Sequence, residues 1–194
     1  MATLTDLARR LKLALVAVTD DARGGDPLAL AARLPAGSLM IFRHYEAKTR
    51  AELAAKLAIL CRSRRIKLLV AGDPDLAMQV RAGLHLPEGL AAKASPRIRL
   101  WVRRGGILTA AAHRRAALSH AARLGADAAL LSPVFATASH PGAKPLGLFG
   151  FRRLAREAKL PVIALGGIDA NSILHLKGAP IAGVAAVGAF TPQK

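Results

Sequence analysis

Residues Gly125–Gly167 read GADAALLSPVFATASHPGAKPLGLFGFRRLAREAKLPVIALGG. Two short apolar runs, Ala128–Leu131 and Val162–Leu165, frame an amphipathic stretch and a loop rich in Pro, Gly, Thr and Ser. Such runs suit strands of a parallel sheet buried on both faces. Each ends in residues that fit a ligand loop: Ser132-Pro133 through Thr137-Ala138-Ser139 after the first, Gly166-Gly167 after the second. Polar groups gathered where parallel strands end are the usual ligand site of a β/α barrel.

The same alternation runs through the rest of the chain. Thr3–Lys12 reads as a leading helix capped by Thr3, and Leu13–Thr19 as the first strand. Pro27–Leu34 is predicted as a helix capped by Asp26, with Pro27 at its first position. Leu39–Arg43 is the second strand. Thr49–Arg62 is a helix with capping-box spacing between Thr49 and Glu52. Lys67–Ala71 follows as a strand, Asp73–Arg81 as a short helix and Gly83–Leu86 as the fourth strand. Pro96–Arg104 is read as a helix, since Ser95 would cap it and Gly105 would end it. Ile107–Ala111 is the fifth strand and His113–Leu124 the next helix. Ala128–Val134, Val162–Leu165 and Gly183–Val187 complete the strands, with helices at Leu148–Lys159 and Asp169–Leu176 between them. This pattern predicts an α/β fold: a (β/α)8 TIM barrel in one domain over residues 1–194, with an extra N-terminal helix and a missing or truncated eighth helix. An incomplete last unit would leave apolar barrel wall for the leading helix, or a second copy in a homo-oligomer, to cover.

Composition narrows the classes. Hydrophobic residues make up 53% of the 194, so a substantial core can form, and aromatics at 4% leave that core aliphatic. No apolar run approaches the roughly 18 residues of a membrane span, and the N-terminal MATLTDLARRLK has no signal core. The lone Cys61 forbids an intramolecular disulfide and fits a reducing, cytoplasmic setting. The net charge of +17 attracts anions, phosphates above all. Two basic clusters stand out, Arg62–Lys67 and Arg97–Arg104. They lack the interleaved aromatics of a single-strand binding face, so a nucleic acid partner is not expected.

Several pieces in order carry a family resemblance: Val18-Thr19-Asp20, Arg43, Asp73–Ala77, Gly83-Leu84-His85-Leu86, His113, Gly125-Ala126-Asp127, Pro133–Thr137, Ala164–Ile168 and Gly183-Val184-Ala185. Through them the chain resembles the thiamine phosphate synthase/TenI superfamily, which implies a barrel handling thiazole and pyrimidine phosphates. Synthases of that family join a pyrimidine diphosphate to a thiazole phosphate and expel pyrophosphate with magnesium. Their second-strand Gln, Arg and Lys correspond here to Ile41, Arg43 and Tyr45. Their magnesium-binding Asn-Asp pair corresponds to Ala71 and Gly72, with Asp73 adjacent. A second acidic ligand falls in Pro87-Glu88-Gly89, and the lysine that meets the diphosphate is His140. Asp73 and Glu88 are therefore the weak metal candidates, and no cofactor is expected unless the chain is a synthase using magnesium.

The resemblance retains the thiazole side better. It implies that Thr137 and Ser139 bind the thiazole phosphate, with backbone N–H groups of Gly166, Gly167 and Gly188 open to the anion. The TenI branch isomerises a thiazole carboxylate phosphate through a histidine after the fifth strand, here His113. The family serine two residues before it is Ala111. An imidazole can take and return a proton near neutral pH, without a metal. The expected activity is thus thiazole isomerisation by His113, with substrate contacts from Arg43, Thr137, Ser139, His140, Gly166, Gly167 and Gly188 and a phosphorylated small molecule as ligand. Divergent synthase activity is the alternative, and the second is a non-catalytic barrel that binds a phosphorylated ligand or, through its basic face, nucleic acid. His85 is expected to pack at a strand end, His120 and His175 to lie on helix surfaces, and His44 and His140 to offer an anion contact at the mouth.

Overall fold

The computed structural model describes residues 3–21, 25–137, 142 and 144–187. Eight parallel strands close into a barrel in chain order: β1 (Ala14–Val18), β2 (Leu39–Phe42), β3 (Lys67–Ala71), β4 (Gly83–Leu86), β5 (Leu108–Ala112), β6 (Ala128–Leu131), β7 (Val162–Leu165) and β8 (Gly183–Val187), with β8 pairing β1. The helices are α1 (Leu4–Arg10), α2 (Pro27–Arg33), α3 (Arg50–Ser63), α4 (Pro74–Gln79), α5 (Glu88–Ala92), α6 (Pro96–Arg103), α7 (Arg115–Leu124) and α8 (Gly147–Glu157). Among the described residues no helix is long and apolar enough to cross a membrane.

Local chemistry sets the helix starts. Asp26, Asp73 and Ser95 each accept an N–H from the first turn of α2, α4 and α6, and each precedes a proline at the first helical position. Thr3 and Asp6 form a reciprocal capping box on α1. The box predicted at Thr49 does not form. Thr49 lies at φ −101°, ψ 26° and caps nothing, while Glu52 instead pairs with Lys56 at 2.6 Å. Several further boundaries differ from the sequence reading, most by one or two residues, and three have a local cause. The helix starts at Arg115 rather than His113, because Arg114 is fully extended. The sixth strand stops at Leu131, before Pro133, which has no N–H for the ladder. Residues 169–176 form only a 3-10 segment, Ser172–Leu176, because the Asp169 carboxylate takes the N–H groups of Asn171 and Ser172. The short α5 is an element that the Gly89 breaker hid in the sequence.

Alternation splits the strand side chains between two cores. Val16, Val18, Ile41, Leu69, Leu130, Ile163 and Ala185 fill the barrel interior, and the outward set packs beneath the helices. The wall at the last strand is covered, as expected of the leading helix, and residues 188–194, where an eighth helix would stand, lie outside the described residues. The outward Val184 and Ala186 are buried within this single chain, and α1 packs against both β1 and the 3-10 segment. Uncovered wall thus gives no motive for a second copy. Gly183 seals the N-terminal end of the barrel, where a Cβ would lie 2.6 Å from the Ala14 carbonyl oxygen.

Among the interior residues are two polar ones. The Nδ1 of His85 is 2.9 Å from the Thr109 hydroxyl, and both residues are buried. His85 thus packs at a strand end as expected. Burial, and secondarily the nearby Arg43 charge, push the His85 imidazole down to about 3.

Two outcomes follow. Gly183→Ala forces its Cβ into backbone, and urea unfolding should show a loss of about 1–3 kcal/mol, the usual cost of overpacking. His85 is neutral in the fold, and the unfolded chain binds the proton first, so stability rises with pH between about 3 and 6.5. This contribution is complete above pH about 6.5 and is lost progressively on acidification, with a limiting slope of about 1.4 kcal/mol per pH unit. In urea titrations at a series of pH values, His85→Asn should remove that component of the slope; parallel curves for the two proteins would contradict it.

Candidate functional site

A cavity of about 450 Å³ opens at the C-terminal ends of the strands. Arg43, His113, Ser132, Thr137, Lys144, Gly166 and Gly167 line it, with Leu146, Leu165 and Val187 supplying apolar wall. A few convergent polar groups in an otherwise apolar cleft are what a small-molecule site requires.

The loops after β6 and β7 build one side. Val134 N–H donates to the Leu165 carbonyl at 3.0 Å, and Phe135 N–H to that of Gly166 at 3.1 Å. The loops run so close that a Cβ on Gly166 would lie 2.8 Å from Pro133 Cα, and one on Gly167 would lie 2.6 Å from the Ala136 oxygen. Both glycines also have positive φ, +98° and +66°. Their presence thus has a steric cause besides any anion. The amides of Gly167 and Ile168 donate to no acceptor among the described residues. Thr137 stands on the adjoining loop. Ser139, His140 and Gly188 lie outside the described residues.

His113 follows the inward alternation Ile107, Thr109, Ala111 and so reaches the mouth. Its Nδ1 is 2.9 Å from the carbonyl oxygen of Ser132 and 3.2 Å from that residue's hydroxyl. A carbonyl only accepts, so Nδ1 carries the hydrogen and Nε2 is the acceptor nitrogen. His113 N–H donates to Glu88 Oε2 at 3.0 Å, and Arg114 Nε donates to Glu88 Oε1 at 2.8 Å. Glu88 therefore holds the backbone beneath His113. Its carboxylate is spent there.

The other end of the mouth is cationic. Arg43 N–H donates to the Thr19 hydroxyl at 2.9 Å, and its guanidinium sits 3.8 Å from Asp20. Arg50 Nη2 donates to the Ala71 carbonyl at 2.6 Å, and its guanidinium lies 5.1 Å from the centre of the Tyr45 ring. That ring packs on Gly72, where a Cβ would come within 3.2 Å of it. A guanidinium and an aromatic ring thus occupy the end of β3. Asp73 is committed to its cap, accepting from Leu76 N–H at 2.9 Å. Among the described residues no group of three or more His, Cys, Asp and Glu could hold a metal. Magnesium needs several oxygen donors and a negative setting, so the residues at Ala71–Asp73 and Glu88 do not fit it.

The expectation that His44 meets an anion at the mouth is corrected. Its Nδ1 is 2.9 Å from the Thr19 hydroxyl, and its buried ring stacks on Phe42 at 5.2 Å. His175 is exposed, as expected, with an edge contact to Phe135 at 6.4 Å, whereas His120 is half-buried. The sequence reading missed Lys144 and Arg50. Lys144 was legible in principle, as a cation in the same loop as Thr137. Arg50 was not, because its role depends on contacts with Phe42, Tyr45 and Ala71 made only in the fold.

Known proteins match this arrangement along most of the chain. A family model described as thiamine monophosphate synthase matches residues 15–190. The thiamine-phosphate synthase of Herpetosiphon aurantiacus is 31% identical over 189 residues, covering 91% of this chain and 87% of that one. A putative thiamine-phosphate synthase 2 of Aquifex aeolicus is 35% identical over 123 residues, covering 63% of this chain and 64% of the relative's length. Among solved structures, thiamine phosphate pyrophosphorylase from Pyrococcus furiosus superposes with a TM-score of 0.72 at 26% identity, covering 91% of this chain and 86% of that one. With the closed barrel and the loop pattern already in view, these matches establish that the chain belongs to the thiamine monophosphate synthase/TenI family.

Proposed function

We propose that the mouth binds a thiazole phosphate and that His113 moves a proton on it, in the manner of the family's isomerase branch. The observation that carries this reading is the His113 Nδ1–H bond to the Ser132 carbonyl, which leaves Nε2 as a base at the cavity. Arg43, Thr137, Lys144 and the amides of Gly167 and Ile168 supply charge and hydrogen bonds for the phosphate. Nε2 takes a proton from the sp3 ring carbon of the thiazole carboxylate phosphate, and the imidazolium returns one at the exocyclic carbon that is doubly bonded to the ring. The product is the aromatic tautomer. No group leaves, no electron is lost, and no metal is required.

The second reading is thiamine phosphate synthesis: a pyrimidine diphosphate joined to the same thiazole phosphate with loss of pyrophosphate. The names of the relatives favour this reading over the first. The donor set at β3 and β4 stands against it, because Asp73 and Glu88 are engaged elsewhere.

Both reactions are assayed on the wild-type protein. Isomerisation, followed by ultraviolet absorbance or NMR, should fall by roughly 100-fold or more in His113→Ala and in His113→Asn, the scale of acid–base help. Thiazole phosphate affinity should survive in both, since other loops hold the phosphate. Thiamine phosphate formation with magnesium at about 1 per second or faster, a typical enzyme rate, would replace the first reading with the second. Lys144→Ala should weaken thiazole phosphate binding about 10-fold or more in calorimetry, as expected for one lost charge-assisted hydrogen bond. Unchanged affinity would take Lys144 out of the phosphate grip.

A further inference from the structure

The barrel's far end carries a charge pattern that the mouth chemistry does not use. The turns leading into β1, β3, β4, β5, β7 and β8 present exposed Lys12, Arg65, Arg81, Arg104, Lys159 and Lys177. All strands are parallel, so these turns share one end of the molecule. The sequence separates these cations, and closure of the barrel collects them. Asp20, Asp21, Asp73, Asp75, Glu88 and Asp169 lie at the opposite end, where Arg43, Lys48, Arg50, Arg114 and Lys144 accompany them. At the basic end Asp127 accepts the Leu108 N–H, and Glu157 pairs with Arg115.

Helix dipoles alone would favour some of this order. Three positions exceed it. Lys12, Arg65 and Arg81 have φ of 56°, 57° and 55°, the left-handed region where a side chain is strained and glycine is not. After α6 and α7 the corresponding left-handed residues are Gly105 and Gly125. The ends of α1 and α3 already carry Arg9, Arg10 and Arg62 in their last turns. Arg62 Nη1 also reaches the Val80 carbonyl at the end of α4, at 3.1 Å. Lys12, Arg65 and Arg81 thus add charge where the helix ends are served and the backbone would accept glycine. Between Arg62, Lys67 and Arg81 lies a recess of about 170 Å³. About 10–15 Å³ of such space holds a water, so a phosphate group has room.

We infer that this N-terminal face of the barrel binds the phosphate backbone of duplex nucleic acid, independently of the mouth. Arginine predominates among the cations around the recess, and its planar fork suits phosphate oxygens. The turn segments carry no aromatic residue for stacking on unpaired bases, which favours a duplex over a single strand. They also carry no exposed large apolar side chain to enter a bilayer.

The test is fluorescence anisotropy of the full chain with a labelled mixed-sequence DNA duplex of about 20 base pairs, at salt from about 50 to 200 mM. Wild type should bind, with affinity falling steeply as salt rises. The triple variant Lys12→Gly, Arg65→Gly, Arg81→Gly should lose at least about tenfold in affinity and flatten the salt slope by up to about 3, while its Tm is no lower than wild type's. A second variant at unstrained turns, Arg104→Gln, Lys159→Gln, Lys177→Gln, should show the same loss of affinity, and Arg43→Gln at the mouth should not. The inference is overturned by a wild type that does not bind the duplex at low salt, by wild-type affinity in both triple variants, or by binding to anionic phosphatidylserine vesicles in place of the duplex.

Discussion

Everything proposed at the mouth depends on two loops held at backbone contact. The segment after β6 donates two N–H groups to carbonyls at the end of β7, and Gly166 and Gly167 leave it no side chain to collide with. Neutral hydrogen bonds of this kind contribute only about 0.5–1.5 kcal/mol each, so their importance is positional. They fix the Ser132 carbonyl, and that carbonyl fixes the tautomer of His113. The line from a glycine's missing Cβ to a base nitrogen facing the cavity is short and continuous. It also explains why a Gly pair is needed here whether or not an anion sits on its amides.

The charge at the mouth is supplied by side chains. Arg43 and Lys144 border the cavity, and Arg50 lies beside it, held by aromatic rings and a carbonyl. A guanidinium keeps its charge at any working pH and needs no carboxylate cage. The two carboxylates nearest the places where a divalent cation would be sought have taken structural work instead. Asp73 starts a helix, and Glu88 ties α5 to the end of β5. A reaction that expels pyrophosphate must neutralise several negative charges as they develop, whereas moving a proton within one bound ring develops far less charge. Fixed cations suited to one phosphate group are consistent with the second demand.

How much of this was legible follows from what each residue's role depends on. Strands, and caps such as Asp26-Pro27 and Ser95-Pro96, depend on neighbours in sequence, and the reading found them. The inward side of β5 was also readable, since Ile107, Thr109, Ala111 and His113 alternate. Local rules failed where a tertiary partner or a competing side chain intervened: Glu52 took Lys56, and Asp169 took the amides that a regular helix turn would have kept free. The burial of His44 against Phe42 and the stacking of Arg50 on Tyr45 involve chain segments brought together only by barrel closure. No periodicity announces them. The resemblance supplied candidate positions at Thr137 and His113, and the loop junction supplied the physical reason His113 has one acceptor nitrogen.

Barrel closure also collects, at the end opposite the mouth, exposed cations of a chain that carries +17. Strands of five residues at about 3.3 Å each place the two ends roughly 16 Å apart. That exceeds the Debye length of about 8 Å at physiological ionic strength, so exposed charges at one end act nearly independently of those at the other. At the mouth the carboxylates are partnered by cations: Asp20 lies beside Arg43, Asp75 pairs with Arg97 and Glu88 with Arg114. The basic end attracts large anions without offering them the cavity.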